Sequence, residues 1–433
     1  MLAAALTFLV WPVESAQRKP SHANQWVDIW GTMPQLVEYT NMPPAPFNES
    51  GIVFQNASVR QTVFITQSAP TIRLIISNVF GGSDLPISSA TLATPLNGSA
   101  GTSAIKTGSL APVTWSGGLT NITIPMGARA ISDPIKYPVE AQQVLTISLY
   151  LATGQTTNLI TGHPGSRVNS YYSPGDVTAL ADVATLADTQ TSQHWYFISA
   201  IEGYMPTSLG TRAIFIIGDS ITDGRESDNN MNDRWPDNLL RRLQAVNATT
   251  LQKNIAVINQ AAGANRVLYD GNGPNAFGRV DRDILAQSGV TYAMVFEGVN
   301  DIGTAATDVQ SQKNVGDRLI SAFDQMIAMV HAKNIPIFGA TITPFGGSGQ
   351  AYSDPNREAT RQRVNRWIRE SRRYDAVVDF DAVIRDPANA SIINPVYDSG
   401  DHLHPNEQGY LLMANSFDLS LFDKFKDGVD VEI

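Results

Sequence analysis

The chain has no cysteine among its 433 residues. That excludes disulfides, thiolate nucleophiles and cysteine-ligated zinc together. Charge is sparse, with 16% of residues Asp, Glu, Lys or Arg and a formal net charge of −10. No long basic run occurs, so nucleic acid is not an expected partner, and the acidic balance opposes docking on an anionic membrane surface. No internal stretch is apolar for long enough to span a bilayer. What is present is a hydrophobic content of 43%, ordinary for a globular chain. The length exceeds one typical core, which points to two domains.

The first residues, Met1-Leu2-Ala3-Ala4-Ala5-Leu6-Thr7-Phe8-Leu9-Val10-Trp11, read as the apolar core of a secretory signal. Val13-Glu14-Ser15-Ala16 offers a small-residue cleavage site, although a basic n-region is missing. A signal remnant over 1–16 is one reading and a buried N-terminal strand or helix the other. Asn-x-Ser/Thr sequons at Asn48, Asn56, Asn97, Asn121, Asn247 and Asn389 permit glycosylation. Leader and sequons together favour export, hence a secreted protein.

Residues 25–204 carry short Val/Ile/Thr/Leu runs between Gly, Pro, Ser and Asn turns, which predicts an all-β, sandwich-like domain. Met205-Pro206-Thr207-Ser208-Leu209-Gly210 suits an interdomain turn. From residue 211 the pattern changes. Strands are expected at 213–217, 255–258, 292–296, 335–341 and 376–380. Helices are expected at 235–246, 279–287, 315–332, 358–372 and 407–421. This alternation over 211–425 predicts an α/β domain with a parallel sheet covered on both faces.

Functional groups of such a sheet gather beyond the carboxyl ends of its strands. Ser220 follows the first strand, in Gly218-Asp219-Ser220-Ile221. Gly263 follows the second, Asn300 the third, and Asp401 and His404 lie in the last loop, in Asp401-His402-Leu403-His404-Pro405. These residue types suit acyl transfer. A serine hydroxyl needs a positioned base, and an imidazole, with an ordinary pKa of ~6.5, supplies one at neutral pH. A carboxylate holds the imidazole's tautomer, and amide donors stabilise a tetrahedral oxyanion.

With these blocks in order, the second half of the chain resembles the SGNH hydrolase superfamily, the GDSL-type esterases and lipases. The resemblance implies a flavodoxin-like, three-layer α/β/α domain. It implies Ser220 as nucleophile, His404 as general base and acid, and Asp401 as its orienting carboxylate. Ser220 N–H, Gly263 N–H and the Asn300 side chain would form the oxyanion hole, with no cofactor and no metal. The first half is similar to the β domain of a subgroup often described as polysaccharide-associated esterases, on Leu74-Ile75-Ile76-Ser77-Asn78-Val79-Phe80-Gly81, Ser132-Asp133-Pro134 and Asn265-Arg266-Val267-Leu268. That likeness implies an acylated carbohydrate as the ester substrate. A lipase or esterase acting on glyceride or small esters is the alternative, and a non-catalytic glycan-binding protein a third reading.

Neighbouring residues compete for these roles. His404 keeps the Asp-x-x-His-Pro spacing of the family, which leaves His402 as a loop or rim residue. His22, His163, His194 and His331 lack metal-ligand spacing to one another and read as surface or capping groups. Asp219 and Asp223 read as caps of the turn around Ser220, and Asp301 as a loop-holding carboxylate. Arg266 either braces its block against a carboxylate or reaches a substrate oxygen. Trp26 and Trp30 read as packing within the β domain.

Overall fold

A computed structural model describes residues 23–429. The leader-like segment at 1–16, and His22, lie outside the described residues.

Residues 24–206 form antiparallel sheets. In one, Asn24–Gly31 pairs with Ile198–Pro206, which pairs with Thr71–Ser77, which pairs with Arg129–Ile131. The larger sheet has six strands and is centred on Ala57–Phe64 and Val144–Leu151. Val144–Leu151 is rich in β-branched and apolar residues and buried along almost its whole length, as a central strand covered on both faces must be.

The chain then turns through Gly210, at φ +62°, into a five-stranded all-parallel sheet. Its strands are β1 (Arg212–Gly218), β2 (Ile255–Ala261), β3 (Val290–Phe296), β4 (Ile337–Ala340) and β5 (Ala376–Val378). Their spatial order is β2-β1-β3-β4-β5. The order reverses between β1 and β3, and that switch point is where open α/β sheets place their sites. The helices that matter here are α1 (Ser220–Asp223), α2 (Trp235–Leu243), α3 (Val299–Thr304), α4 (Val309–His331), α5 (Pro355–Glu370) and α6 (Glu407–Ser416).

Several elements differ from expectation for visible reasons. Helix α4 starts six residues before 315, at Val309, because Asp308 caps it by accepting the Ser311 N–H at 2.9 Å. The helix expected at 279–287 is instead a 3-10 turn, Phe277–Arg279, followed by a π turn, Asp281–Leu285. There the buried Arg279 reaches across to Gln260 O and Asn265 Oδ1. Strand β5 stops at Val378 because Asp379 turns the chain into a short helix, accepting the Ala382 N–H at 3.2 Å.

The β domain is docked, not tethered. Its apolar side chains and those of the parallel sheet belong to one buried cluster. Strand Asn24–Gly31 runs against β2 so closely that a Cβ at Gly31 would stand 2.8 Å from Ile258 Cγ2. Asp28 N–H donates to Ser288 O at 2.9 Å, and Gln67 Nε2 to Lys253 O at 2.8 Å.

This junction buries an unbalanced charge. Asp28 lies opposite Glu202 across the strand pair, and Asp28 Oδ1 has no hydrogen-bond partner. Burial, reinforced by the Glu202 charge, pushes the Asp28 carboxyl well above its ordinary 3.8; the Ser288 N–H and the Arg129 and Arg73 charges offset this only in part. A raised folded pKa contributes stability that is complete below 3.8 and is lost as pH rises through the folded value. Asp28→Asn is therefore expected to exceed wild type in stability at pH 8 by about 1 kcal/mol or more, with the gain vanishing towards pH 4. Urea unfolding at the two pH values checks this.

Candidate active site

Strand β1 is apolar and wholly interior from Ala213 to Gly218, so it carries the following residues straight to the sheet's edge. Asp219 caps the next turn, its Oδ1 accepting the Ile221 N–H at 2.9 Å. Gly224, in the left-handed region at φ +88°, closes that turn onto Ser220 O at 2.9 Å. Ser220 is thus held at the first position of a one-turn helix.

The last loop meets it there. Ser220 Oγ and His404 Nε2 are 2.8 Å apart across 184 residues of chain. His404 Nδ1 faces Asp401 Oδ2 at 2.5 Å. Asp401 Oδ1 also accepts the backbone N–H of Leu403 at 2.9 Å and of His404 at 2.8 Å. Burial opposes the Asp401 charge, but the His404 ring, these N–H groups and the imidazole charge outweigh it and hold the carboxyl well below its usual range. An ionised Asp401 accepts, so Nδ1 carries the proton and, in the neutral ring, Nε2 turns a lone pair to the serine. His402 is drawn elsewhere, with Nδ1 2.6 Å from Asp398 Oδ2.

Gly263 and Asn300 line the same cleft as Ser220 and His404. Asn300 is the second residue of α3, which starts directly after Gly298 at φ +111°. Its amide is fixed from two sides: Nδ2 donates to Asn265 O at 2.9 Å, and Oδ1 accepts from Tyr352 OH at 3.0 Å. The second Nδ2 hydrogen stays uncommitted among the described residues. Tyr352 is the residue that sequence reasoning missed here; it sits in the loop after β4 and has no motif around it.

Asp301 holds the loop after β2, accepting the N–H groups of Val267 at 2.8 Å and Leu268 at 3.0 Å. Burial still pushes it up to about 6. Asp219 is pushed up to about 7 by burial, with the Asp301 and Asp223 charges adding to it against the Ile221 N–H. Arg266 donates to Asp270 O and lies 5.5 Å from the Tyr269 ring. It lines a groove with Asp301 outside the Ser220 cleft.

One histidine read as a surface or capping group is interior instead. His163 is buried, with Nε2 2.9 Å from Asp223 Oδ1 and Nδ1 3.1 Å from Met33 O. Asp223 is therefore a buried hydrogen-bond partner of His163 from the end of α1, not a helix cap. His194 sits on the cleft wall, its Nδ1 donating to Pro164 O at 2.7 Å. His331 pairs with Asp375 at 2.9 Å. Trp30 packs edge-on against Trp195, and Trp26 against Tyr204.

The cleft above Ser220 has a volume of about 310 Å³. The loops that carry Ser220, Gly263, Asn300 and His404 form one side of it. The β domain forms the other, through Gln35, Glu38, Asn41, Gly165, Arg167 and His194. Among the described residues one carboxylate group has the spacing of a metal site: Asp228, Asp233 and Glu407, outside the cleft. Burial, then the Asp228 charge, pushes Asp233 up to about 6, as crowded carboxylates do.

A model of the GDSL-like lipase/acylhydrolase family matches residues 216–412. The α/β domain belongs to that family. The chain accordingly carries a carboxylic ester hydrolase domain, with an ester as its substrate. A GDSL-like lipase from Bacteroides thetaiotaomicron is 15% identical, covering 51% of this chain and 90% of its own, with a TM-score of 0.36. A variant of an acetyl xylan esterase from Geobacillus stearothermophilus is 20% identical, covering 51% of this chain and 97% of its own, with a TM-score of 0.37. Comparison with curated proteins finds no match.

Two glycines at the cleft separate steric need from open space. A Cβ at Gly165 would fall 1.7 Å from Asp223 Oδ2, whereas one at Gly263 would meet only that atom, at 3.9 Å. Gly165→Ala is expected to cost about 1–3 kcal/mol of stability by displacing Asp223, and Gly263→Ala to melt like wild type. Thermal melts of the two variants check the contrast.

Proposed function

We propose that Ser220, His404 and Asp401 form the catalytic triad of a serine esterase that deacylates carbohydrate esters. The observation that carries this reading is the Ser220–His404–Asp401 relay, with contacts of 2.8 and 2.5 Å, opening into a cleft walled by the β domain. Ser220 Oγ attacks the ester carbonyl while His404 takes its proton. The tetrahedral oxyanion is held by Ser220 N–H, Gly263 N–H and Asn300 Nδ2. Collapse expels the alcohol, protonated by His404, and leaves an acyl-serine. A water activated by His404 then releases the acid. Asp401 keeps the imidazole in the productive tautomer, and Tyr352 keeps the Asn300 amide from turning over.

The cleft's composition supports a small acyl group on a polar alcohol. Its apolar residues, Pro164, Ala264, Leu403 and the Tyr352 ring, are interspersed with polar ones rather than gathered in one channel-forming run of the sequence. The rest of the wall offers amides, carboxylates and guanidinium groups, the donors and acceptors that sugar hydroxyls use. Export fits this substrate: the leader-like 1–16 and the six sequons support it, and Asn56, Asn97, Asn121, Asn247 and Asn389 are exposed.

Ser220→Ala is expected to lower kcat on p-nitrophenyl acetate by at least ~10³-fold, and Asp401→Asn by ~10²–10⁴-fold. Tyr352→Phe should cost about tenfold in kcat with KM nearly unchanged, less than outright loss of an oxyanion donor. Acetate release from acetylated xylan, set against a chain-length series of p-nitrophenyl esters, tests the substrate. Preference for long chains without release from xylan would contradict the carbohydrate reading.

A further inference from the structure

Arg167 is the one arginine among the described residues with a buried nitrogen that has no hydrogen-bond partner, its Nε. Other interior guanidinium groups are satisfied within the protein. Arg60 donates to Ser148 Oγ and four backbone carbonyls. Arg279 meets Asp283 and Asn265, and Arg361 is gripped by Glu358 and Asp381. A guanidinium held partly out of water without an acceptor costs free energy.

The segment that holds Arg167 is built rather than slack. Its backbone is left-handed, at φ +55°, a conformation uncommon for a side chain of this size. The catalytic domain clamps it: Asn230 N–H donates to Arg167 O, and Asn230 Oδ1 accepts the Asn169 N–H, both at 2.8 Å. So placed, Arg167 lines the cleft that holds Ser220.

The other charged groups around that cleft are already engaged. Glu38 accepts from Gln35 Nε2 at 2.5 Å and Asn41 Nδ2 at 2.9 Å. Arg225 pairs with Glu226 at 3.1 Å. His163 Nδ1 donates to Met33 O, which can only accept, and its Nε2 lies 2.9 Å from Asp223 Oδ1. Asp223 Oδ2 is left as a buried acceptor with no partner. Arg167 and Asp223 both line the cleft, and each carries a polar atom without a protein partner among the described residues.

Their complement is a ring bearing both a carboxylate and a hydroxyl. The carboxylate gives the guanidinium the charged acceptor that the protein withholds, and the hydroxyl donates to Asp223 Oδ2. We infer that the alcohol half of the ester is an acidic sugar, a uronate residue, whose carboxylate is read by Arg167 of the β domain. This rests on the carbohydrate-ester reading above and narrows it.

The test compares kcat/KM for O-acetylated oligogalacturonate and O-acetylated xylo-oligosaccharide of matched length. Wild type is expected to favour the acidic substrate by about 10–100-fold, the worth of a charged hydrogen-bond pair. Arg167→Met should bring that ratio close to one, Arg167→Lys should recover part of it, and high salt should shrink it. Because the side chain donates to no protein group among the described residues, Arg167→Met should melt no lower than wild type. A wild-type ratio of one or less overturns the inference while leaving carbohydrate deacylation standing. So does an equal loss on both substrates in Arg167→Met. Hydrolysis of p-nitrophenyl acetate with neither sugar ester attacked would overturn the carbohydrate reading itself.

Discussion

The Asp401 carboxylate is the group on which the site depends. One oxygen faces the His404 ring, and the other gathers the N–H groups of Leu403 and His404. The same charge therefore folds the loop and sets the ring's tautomer. Loop conformation and the orientation of the His404 ring are tied to one group. The parallel sheet supplies the rest, since β1 ends where the Asp219 cap and the Gly224 turn hold Ser220 in front of that ring.

The β domain completes the cleft, and its docking has a physical cost. Strand Asn24–Gly31 approaches β2 at a distance that only glycine allows at Gly31. The seam also buries Asp28 beside Glu202, with Asp28 Oδ1 lacking a hydrogen-bond partner among the described residues. What this junction secures is position. Arg167, His194 and Glu38 come from the β domain yet stand over a serine of the other domain. An α/β domain alone would leave Ser220 in an open trough.

Much of this was legible in the sequence because it is local. Three of the four blocks follow successive strands and the fourth lies in the last loop, where the Asp-x-x-His-Pro spacing separated His404 from His402 before any geometry was known. Strands β1 to β5 followed from short apolar runs alternating with helical periodicity. What was not legible depends on distant contacts. Nothing near Tyr352 announces that its hydroxyl meets Asn300. Nothing near His163 tells that it is buried against Asp223, so a surface reading was the natural one, and it was wrong. The helix expected at 279–287 takes 3-10 and π forms where Arg279 binds across the sheet, an interaction invisible to periodicity. The wall residues of the β domain lie in loops whose composition is unremarkable until the domains meet.

The central claim, that Ser220 is the activated nucleophile, is tested most directly by labelling the intact protein with a phosphonofluoridate probe and mapping the adduct by mass spectrometry. A single adduct on the peptide containing Ser220, slowed in Asp401→Asn and absent in Ser220→Ala, is the expected result. No labelling of wild type, or labelling that survives Ser220→Ala, would contradict it.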